Sequence, residues 1–190
     1  MKTIIISIKI FLIFTILTGF VYPIAVTGIS RIFFPEKSAG SLIYKNNIAV
    51  GSSLIGQSFD TAIYFSSRPS AVNYKPLPSG GSNLGMTSEN LRNTVKERID
   101  HFLKINKIDS SANIPSEMIY ASGSGLDPHI SLKSALLQQD RVASSRNFSD
   151  IQRKQLSELI KKHTEPPQFN LLGETRINVL LLNLDVDKIK

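Results

Sequence analysis

The sequence predicts a single N-terminal transmembrane helix followed by a mixed α/β soluble domain of about three helices and a small sheet. Three observations carry that reading. Residues Ile10 to Ser30, IFLIFTILTGFVYPIAVTGIS, contain no charge and are bracketed by Lys9 and Arg31. Beyond residue 45 the chain alternates helical periods with short apolar runs and Gly/Pro turns. The charge there is nearly balanced: 5 basic and 1 acidic residue fall in residues 1–45, leaving 17 and 14 for residues 46–190.

The organisation follows in order: a short tail at 1–9, the membrane helix at 10–30, a linker at 31–45 and the α/β domain at 46–190. A hydrocarbon core of about 30 Å needs about 20 apolar residues, and 10–30 meets that length. A secretory signal would show a shorter apolar core and an A-x-A-like cleavage site; neither is present, so the segment reads as an uncleaved anchor. Pro23 removes an N–H inside the span, which frees a carbonyl and favours a kink. Gly19, one turn earlier, allows close backbone approach. Gly19 and Pro23 are therefore partner-contact candidates, the alternative being a plain bend in a lone anchor. Basic residues on the two sides nearly tie, so charge alone leaves the orientation open.

NIAVGSSLIGQSF then reads as an interrupted strand, broken at Gly51 and Gly56. The stretch Ala62 to Gly85 is irregular, with Pro69, Pro76, Pro78, Gly80, Gly81 and Gly85 forbidding a long helix. Its aromatics, Tyr64, Phe65 and Tyr74, mark an ordered loop that packs on something. A helix starts near Thr87, capped by Thr87 or Ser88, with Leu91, Val95, Ile99 and Phe102 on one face. A short strand is expected around Met118 to Ala121, and a helix from about Pro128 to Ser145. A third helix, Asp150 to about His163, opens on a Ser149/Gln152 capping box and turns Ile151, Leu156, Leu159 and Ile160 inward. INVLLLNLDVD reads as a C-terminal strand.

The net charge of +7 does not indicate nucleic acid. No Lys/Arg cluster exceeds Lys161-Lys162, and no aromatics interleave with one. Zero cysteines exclude disulfides and thiolate metal sites. His101 and His163 lie on helices, so no metal site is expected.

Two glycine clusters hold the remaining chemistry. In ASGSGLDPHIS, Gly123 and Gly125 make a turn and Asp127 before Pro128 reads as a helix N-cap. An anion cradle is the competing reading, but neither a P-loop lysine nor a third dinucleotide glycine follows. On the capping reading Asp127→Asn is nearly neutral and Asp127→Ala costs about 1 kcal/mol. Ser124, Asp127 and His129 are too close in sequence to align as a triad. Ser79, Gly80 and Gly81 resemble the signature peptide of ABC ATPases and are the nucleotide-binding candidates, against a tight turn capped by Ser82 or Asn83. Arg141 and Arg146 either clamp an anion or pair with acids of the same fold. No catalytic residue emerges.

Seven segments carry a resemblance: LTGFVYP, GSSLIGQSF, YFSSRPSA, SGGSNLG, ASGSGLDPHIS, QQDRVASSRN and INVLLLNL, which occur in this order across nearly the whole chain. The chain resembles the KdpC family, the C subunit of the Kdp potassium-transporting ATPase. The resemblance implies an accessory, non-catalytic subunit of a high-affinity potassium uptake pump. Its partners would be a channel-like potassium-binding subunit, a P-type ATPase subunit and a small single-helix subunit. ATP hydrolysis would belong to the ATPase subunit, with this family raising ATP affinity as a catalytic chaperone. No cofactor is firmly bound on this reading; ATP acts through the complex and potassium is the transported ion. It also implies a single-pass cell-membrane protein with its domain outside the cytoplasm. Tyr64, Arg68 and Tyr74 are the expected partner-contact residues of the irregular loop. The alternative class is a membrane-anchored extracytoplasmic binding or sensor domain.

Overall fold

The structure, a computed structural model, describes residues 2–189; residue 1 of the expected tail and residue 190 of the expected domain lie outside it. The chain forms two compact units, Met1–Val50 and Gly51–Lys190.

The first unit is dominated by one continuous helical rod. Helix α1 (Lys2–Ile16) runs through a π-helical turn (Leu17–Val21) into α2 (Tyr22–Phe33). The 32-residue rod buries none of its side chains within the chain. At 1.5 Å per residue it is about 48 Å long, more than a bilayer core requires. It extends beyond 10–30 at both ends, taking in most of the tail. The π turn is the local answer to Pro23, whose missing N–H leaves the normal ladder one donor short. The Tyr22 N–H reaches back to the Leu17 carbonyl, five residues away, so the widened turn accommodates the proline without ending the helix. Thr18 Oγ1 donates to the Phe14 carbonyl at 2.7 Å beside it. A short helix α3 (Pro35–Ser38) and strand β1 (Leu42–Lys45) follow. Asn46 and Asn47, both at positive φ, turn β1 into β2 (Ile48–Ser52).

The second unit places helices around a small antiparallel sheet. Helix α4 (Glu89–Asn106) opens on Ser88, whose side chain accepts from the Leu91 N–H. Of its expected inner face, Phe102 is buried, and Leu91, Val95 and Ile99 are half-buried. A 3-10 turn (Ser116–Met118) occupies the place of the expected strand at Met118 to Ala121. Pro115 at its start fixes φ and favours the turn. Strand β3 (His129–Ile130) then precedes α5 (Leu132–Ser145). Helix α6 (Asp150–Lys162) has the capping box read from Ser149 and Gln152. Leu156 and Ile160 are buried on it, whereas Ile151, expected inside, is 72% exposed.

Strands β4 (Thr164–Glu165) and β5 (Arg176–Asn178) complete a sheet of order β3-β5-β4, with Ile130 opposite Ile177 and Thr164 on its other side. The chain ends in α7 (Val179–Val186). Most of the segment read as a C-terminal strand is therefore helix, and the described residues of the unit hold four substantial helices rather than about three. The cause is Asn178, whose side chain accepts from the Leu181 N–H and starts a helix where the strand ends. Val179, Leu180, Leu182, Asn183 and Val186 are all buried, so this short apolar run has no polar face to reveal its period. Phe65, Val142, Leu156, Ile160, Ile177 and Leu182 form the centre of the core, each fully shielded from solvent.

Candidate functional site

The two glycine clusters are each other's partners. The Gly80 N–H donates to the Ser124 carbonyl at 2.9 Å. A Cβ on Gly81 would stand 3.3 Å from the Gly123 carbonyl oxygen. Gly125 has φ +70° and turns directly beneath: a Cβ there would lie 2.8 Å from the Gly80 oxygen and 2.6 Å from Val72 Cγ2. Backbone lies against backbone because no side chain intervenes. The Gly80 amide that a nucleotide phosphate would need is already occupied. Gly123 is at the turn as expected, but a Cβ there would meet nothing within 4 Å.

Asp127 does not cap a helix. Helix α5 begins at Leu132, capped by Ser131, whose side chain accepts from the Ser134 N–H. Asp127 instead makes a local turn, its Oδ1 accepting the His129 N–H at 2.9 Å. That i to i+2 bond satisfies the same local rule as a cap, which is why an Asp-Pro pair is ambiguous in sequence. Its second oxygen accepts from Arg68 Nη1 at 2.6 Å, across 59 positions of sequence. Burial alone would raise the Asp127 carboxyl. The His129 ring and N–H together with the Arg68 guanidinium outweigh it and hold the pKa down at about 2. Glu117 completes the α5 start: its Oε1 accepts from the Ser131 N–H at 2.8 Å and from the Ser134 hydroxyl.

This geometry changes the expected consequence of substitution. Asp127→Asn would leave the half-buried Arg68, whose Nε finds no hydrogen-bond partner among the described residues, without its carboxylate. The expected cost is about 2 kcal/mol rather than nothing, read as a lowered urea midpoint. The sign in pH follows from the depressed folded pKa. The ionised carboxylate stabilises above about pH 4, and that contribution, about 1–2 kcal/mol after allowance for solvent, is lost as pH falls from about 4 to 2. In Asp127→Asn that part of the acid limb should flatten.

Deeper in the unit, three polar side chains of α5 and α7 hold the segment Ala62 to Ser66. Asn183 Oδ1 accepts the Phe65 N–H at 2.8 Å and its amide donates to the Phe65 carbonyl at 2.9 Å, the pattern of a neighbouring strand. Gln138 Oε1 accepts the Ser66 N–H at 2.7 Å. Arg141, 7% exposed, donates to the carbonyls of Ala62 and Tyr64 at 2.7 and 2.9 Å, and to the side chains of Asn106 and Gln138, both at 2.8 Å. Burial lowers the pKa of Arg141 to about 10, so it stays charged near neutrality. Neutral oxygens solvate it. Arg146 follows the other sequence alternative: it pairs with Asp187 at 2.8 Å, donates to the Ile63 carbonyl and lies over the Tyr64 ring.

The loop residues expected to face a partner are thus engaged internally. Tyr64 is half-buried against Arg146, Arg68 is tied to Asp127, and Tyr74 donates its O–H to the Arg68 carbonyl. Burial, reinforced by Asp60, pushes the Tyr74 pKa up to about 12. The exposed apolar side chains of this region are others: Leu77 at 87% and Met86 at 96%. Periodicity could not find them, because they belong to no regular element; their signal was only apolar side chains among prolines and glycines. Ser79 is exposed beside them. In the first unit, a Cβ on Gly19 would meet nothing within 4 Å, so that position is open along the rod.

An apolar rod long enough to cross a bilayer, followed by a loop-clasped α/β unit, gives the chain a candidate membrane span at its N-terminus. The family described as "KdpC: K+-transporting ATPase, c chain" matches residues 4–188. The chain belongs to this family. Its relatives include the potassium-transporting ATPase KdpC subunit of Mycobacterium bovis (strain BCG / Pasteur 1173P2), 43% identical over 180 residues covering 94% of each chain. The subunit of that name from Dechloromonas aromatica (strain RCB) is 44% identical over 186 residues, covering 96% of this chain and 95% of the relative. That from Geotalea uraniireducens (strain Rf4) is 43% identical over 193 residues, covering 100% and 99%. The resemblance carried by the seven segments is borne out along nearly the full length.

Proposed function

We propose that this chain is an accessory, non-catalytic subunit of a high-affinity, ATP-driven potassium uptake pump. The observation that carries the reading is the near-complete match to potassium-transporting ATPase subunits. On this reading the chain assembles with, and stabilises, a channel-like potassium-binding subunit, a P-type ATPase subunit and a small single-helix subunit. Hydrolysis and the phosphorylated aspartate belong to the ATPase subunit. The anchor packs on partner helices and the α/β unit rests outside the cytoplasm on the mouth of the channel-like subunit. Any rise in the pump's ATP affinity then comes through assembly. Ser79, Gly80 and Gly81 act as half of a clasp with residues 122–125, since the Gly80 amide is engaged there.

Docking falls to apolar side chains that the unit leaves in solvent, Leu77 and Met86 first, because burial of exposed apolar side chains drives association. Gly19 and Pro23 are the helix contact. A Cβ at Gly19 meets nothing within 4 Å apart from its own helix backbone, so a defect in Gly19→Leu points to a partner. Retention of the subunit in purified complexes is expected to fall roughly fivefold, the factor for about 1 kcal/mol, with membrane insertion intact. Full retention would remove Gly19 from the interface.

A further inference from the structure

The hairpin that joins β4 to β5 carries an apolar tip which its own unit leaves in solvent. Between Glu165 and Glu174 the sequence is PPQFNLLG, without a charge. Phe169 is 86% exposed, Leu171 84% and Leu172 62%. Three large apolar side chains within four positions form a patch, unlike the single exposed residues that any surface shows. Phe169 also stands at φ +55°, in the left-handed region that a bulky residue seldom adopts. That strain brings the ring no burial within the unit.

The backbone of the tip is closed on itself. Gln168 and Leu172 exchange both N–H···O bonds, each at 2.9 Å. The Asn170 N–H donates to the Pro167 carbonyl at 3.0 Å, and the Leu171 N–H to the Gln168 carbonyl at 3.1 Å. Pro166 and Pro167 have no N–H to satisfy. A segment that enters lipid must meet its backbone demand internally, whereas a protein groove can supply partners. Charge returns only at the base, where Arg176 pairs with Glu165 at 3.1 Å and Glu174 is exposed. Phe169 lies four positions beyond Glu165, about 13 Å at strand rise. The tip can therefore reach the boundary of headgroups and acyl chains, about 5–10 Å deep, while those charges stay at headgroup level. Residues 34–50 join the rod to this unit and span at most about 60 Å fully extended. A bilayer holding the rod is thus present at high effective concentration around every copy of the unit.

We propose that Phe169, Leu171 and Leu172 insert into the surface of the bilayer that holds the rod. The inference rests on the reading of the rod as a membrane span. The hairpin is then a second, reversible membrane contact of the same chain.

The chain has no tryptophan, so Phe169→Trp introduces a single fluorescent reporter at an exposed position. The full chain is reconstituted in phosphatidylcholine vesicles, with and without bromine on the upper acyl carbons. The emission of Phe169→Trp is expected to lie at short wavelength and to lose about half its intensity in brominated vesicles, because a ring about 5–10 Å deep lies within reach of the quencher. Ile151→Trp, on the exposed side of α6 and at its far end from β4, should keep its intensity. Phe20→Trp in the rod should be quenched strongly. Quenching of Phe20→Trp without quenching of Phe169→Trp would overturn the hairpin contact and leave the span intact; absence of both would remove the span and the contact with it. Equal quenching of Phe169→Trp and Ile151→Trp would show a unit lying on lipid without selecting the tip, and would also overturn the assignment. So would a Phe169→Trp reporter insensitive to bromine that turns to short wavelength only in the assembled pump, since a protein would then cover the tip. Should Phe169→Trp fail to fold, Leu171→Trp, 84% exposed in the native chain, carries the same expectations.

Discussion

Arg141→Met is expected to lower the stability of the second unit by about 3 kcal/mol. The substitution keeps a long apolar stem but removes every donor of the guanidinium. Asn106 Oδ1 is then left short of a donor in a buried place, and the Ala62 and Tyr64 carbonyls in a part-buried one. Each such group costs about 1–3 kcal/mol. Relief of the desolvation that Arg141 itself suffers offsets part of the sum. For a urea dependence of about 1–3 kcal/mol per molar, the midpoint of the full chain in micelles should fall by about 1–3 M. Arg141→Lys keeps the charge but replaces a rigid fork with a point donor, and should recover only part of the loss. Protease cleavage within residues 62–67 should appear in Arg141→Met before global unfolding, because this guanidinium holds the segment to α5. An unchanged midpoint would mean that the carbonyls find other donors and that Asn183, Gln138 and Arg146 suffice to hold the segment.

Gly125→Ala is expected to cost about 3 kcal/mol, and Gly123→Ala far less, although the two glycines stand two positions apart in one motif. Gly125 combines positive φ with Cβ overlaps on Val72 and on the Gly80 carbonyl. An alanine must therefore accept a strained backbone and push the two loops apart. At Gly123 the space is open and no positive φ is required. Gly80→Ala is the informative third variant. It meets no atom within 4 Å and keeps its N–H bond to the Ser124 carbonyl, so the clasp tolerates it. A phosphate approaching the same backbone would not. Thermal unfolding of the three variants should rank Gly125→Ala far below the other two; comparable losses at Gly123 and Gly125 would contradict the clasp geometry.

What could be read from the sequence is what neighbouring residues decide. The charge-free run, the Ser149/Gln152 capping box and the Ser88 cap each rest on groups within a few positions, and all are present. The membrane rod is longer than its charge-free part because Lys2 and Lys9 suit a helix as well as a tail. The misreadings came from residues whose partners are remote. Asp127 satisfies a cap rule and a turn rule alike, and Arg68, 59 positions away, accompanies the turn. Asn183 looks like one polar residue in an apolar run until Phe65, 118 positions away, is placed against it. The run VLLLNLDV is buried so completely that it carries neither a period of two nor one of 3.6. Tyr64, Arg68 and Tyr74 read in the sequence as partner-contact residues of an ordered loop, and in the structure each also makes a contact that attaches that loop to its own unit. The side chains left in solvent, Leu77 and Met86, are the plainer ones.

On the proposed function, the chain acts on the pump by docking. The most direct measurement uses a double variant, Leu77→Glu with Met86→Glu, in the assembled complex. Neither side chain contributes to the core, so the unit should fold normally. Subunit retention and the ATP concentration dependence of potassium-stimulated hydrolysis are measured on the same preparation. Docking predicts that retention and activity fall together, that the ATP dependence of the remaining intact complexes is unchanged, and that excess variant subunit restores activity by mass action. Normal retention with a raised ATP requirement that excess subunit cannot correct would contradict it.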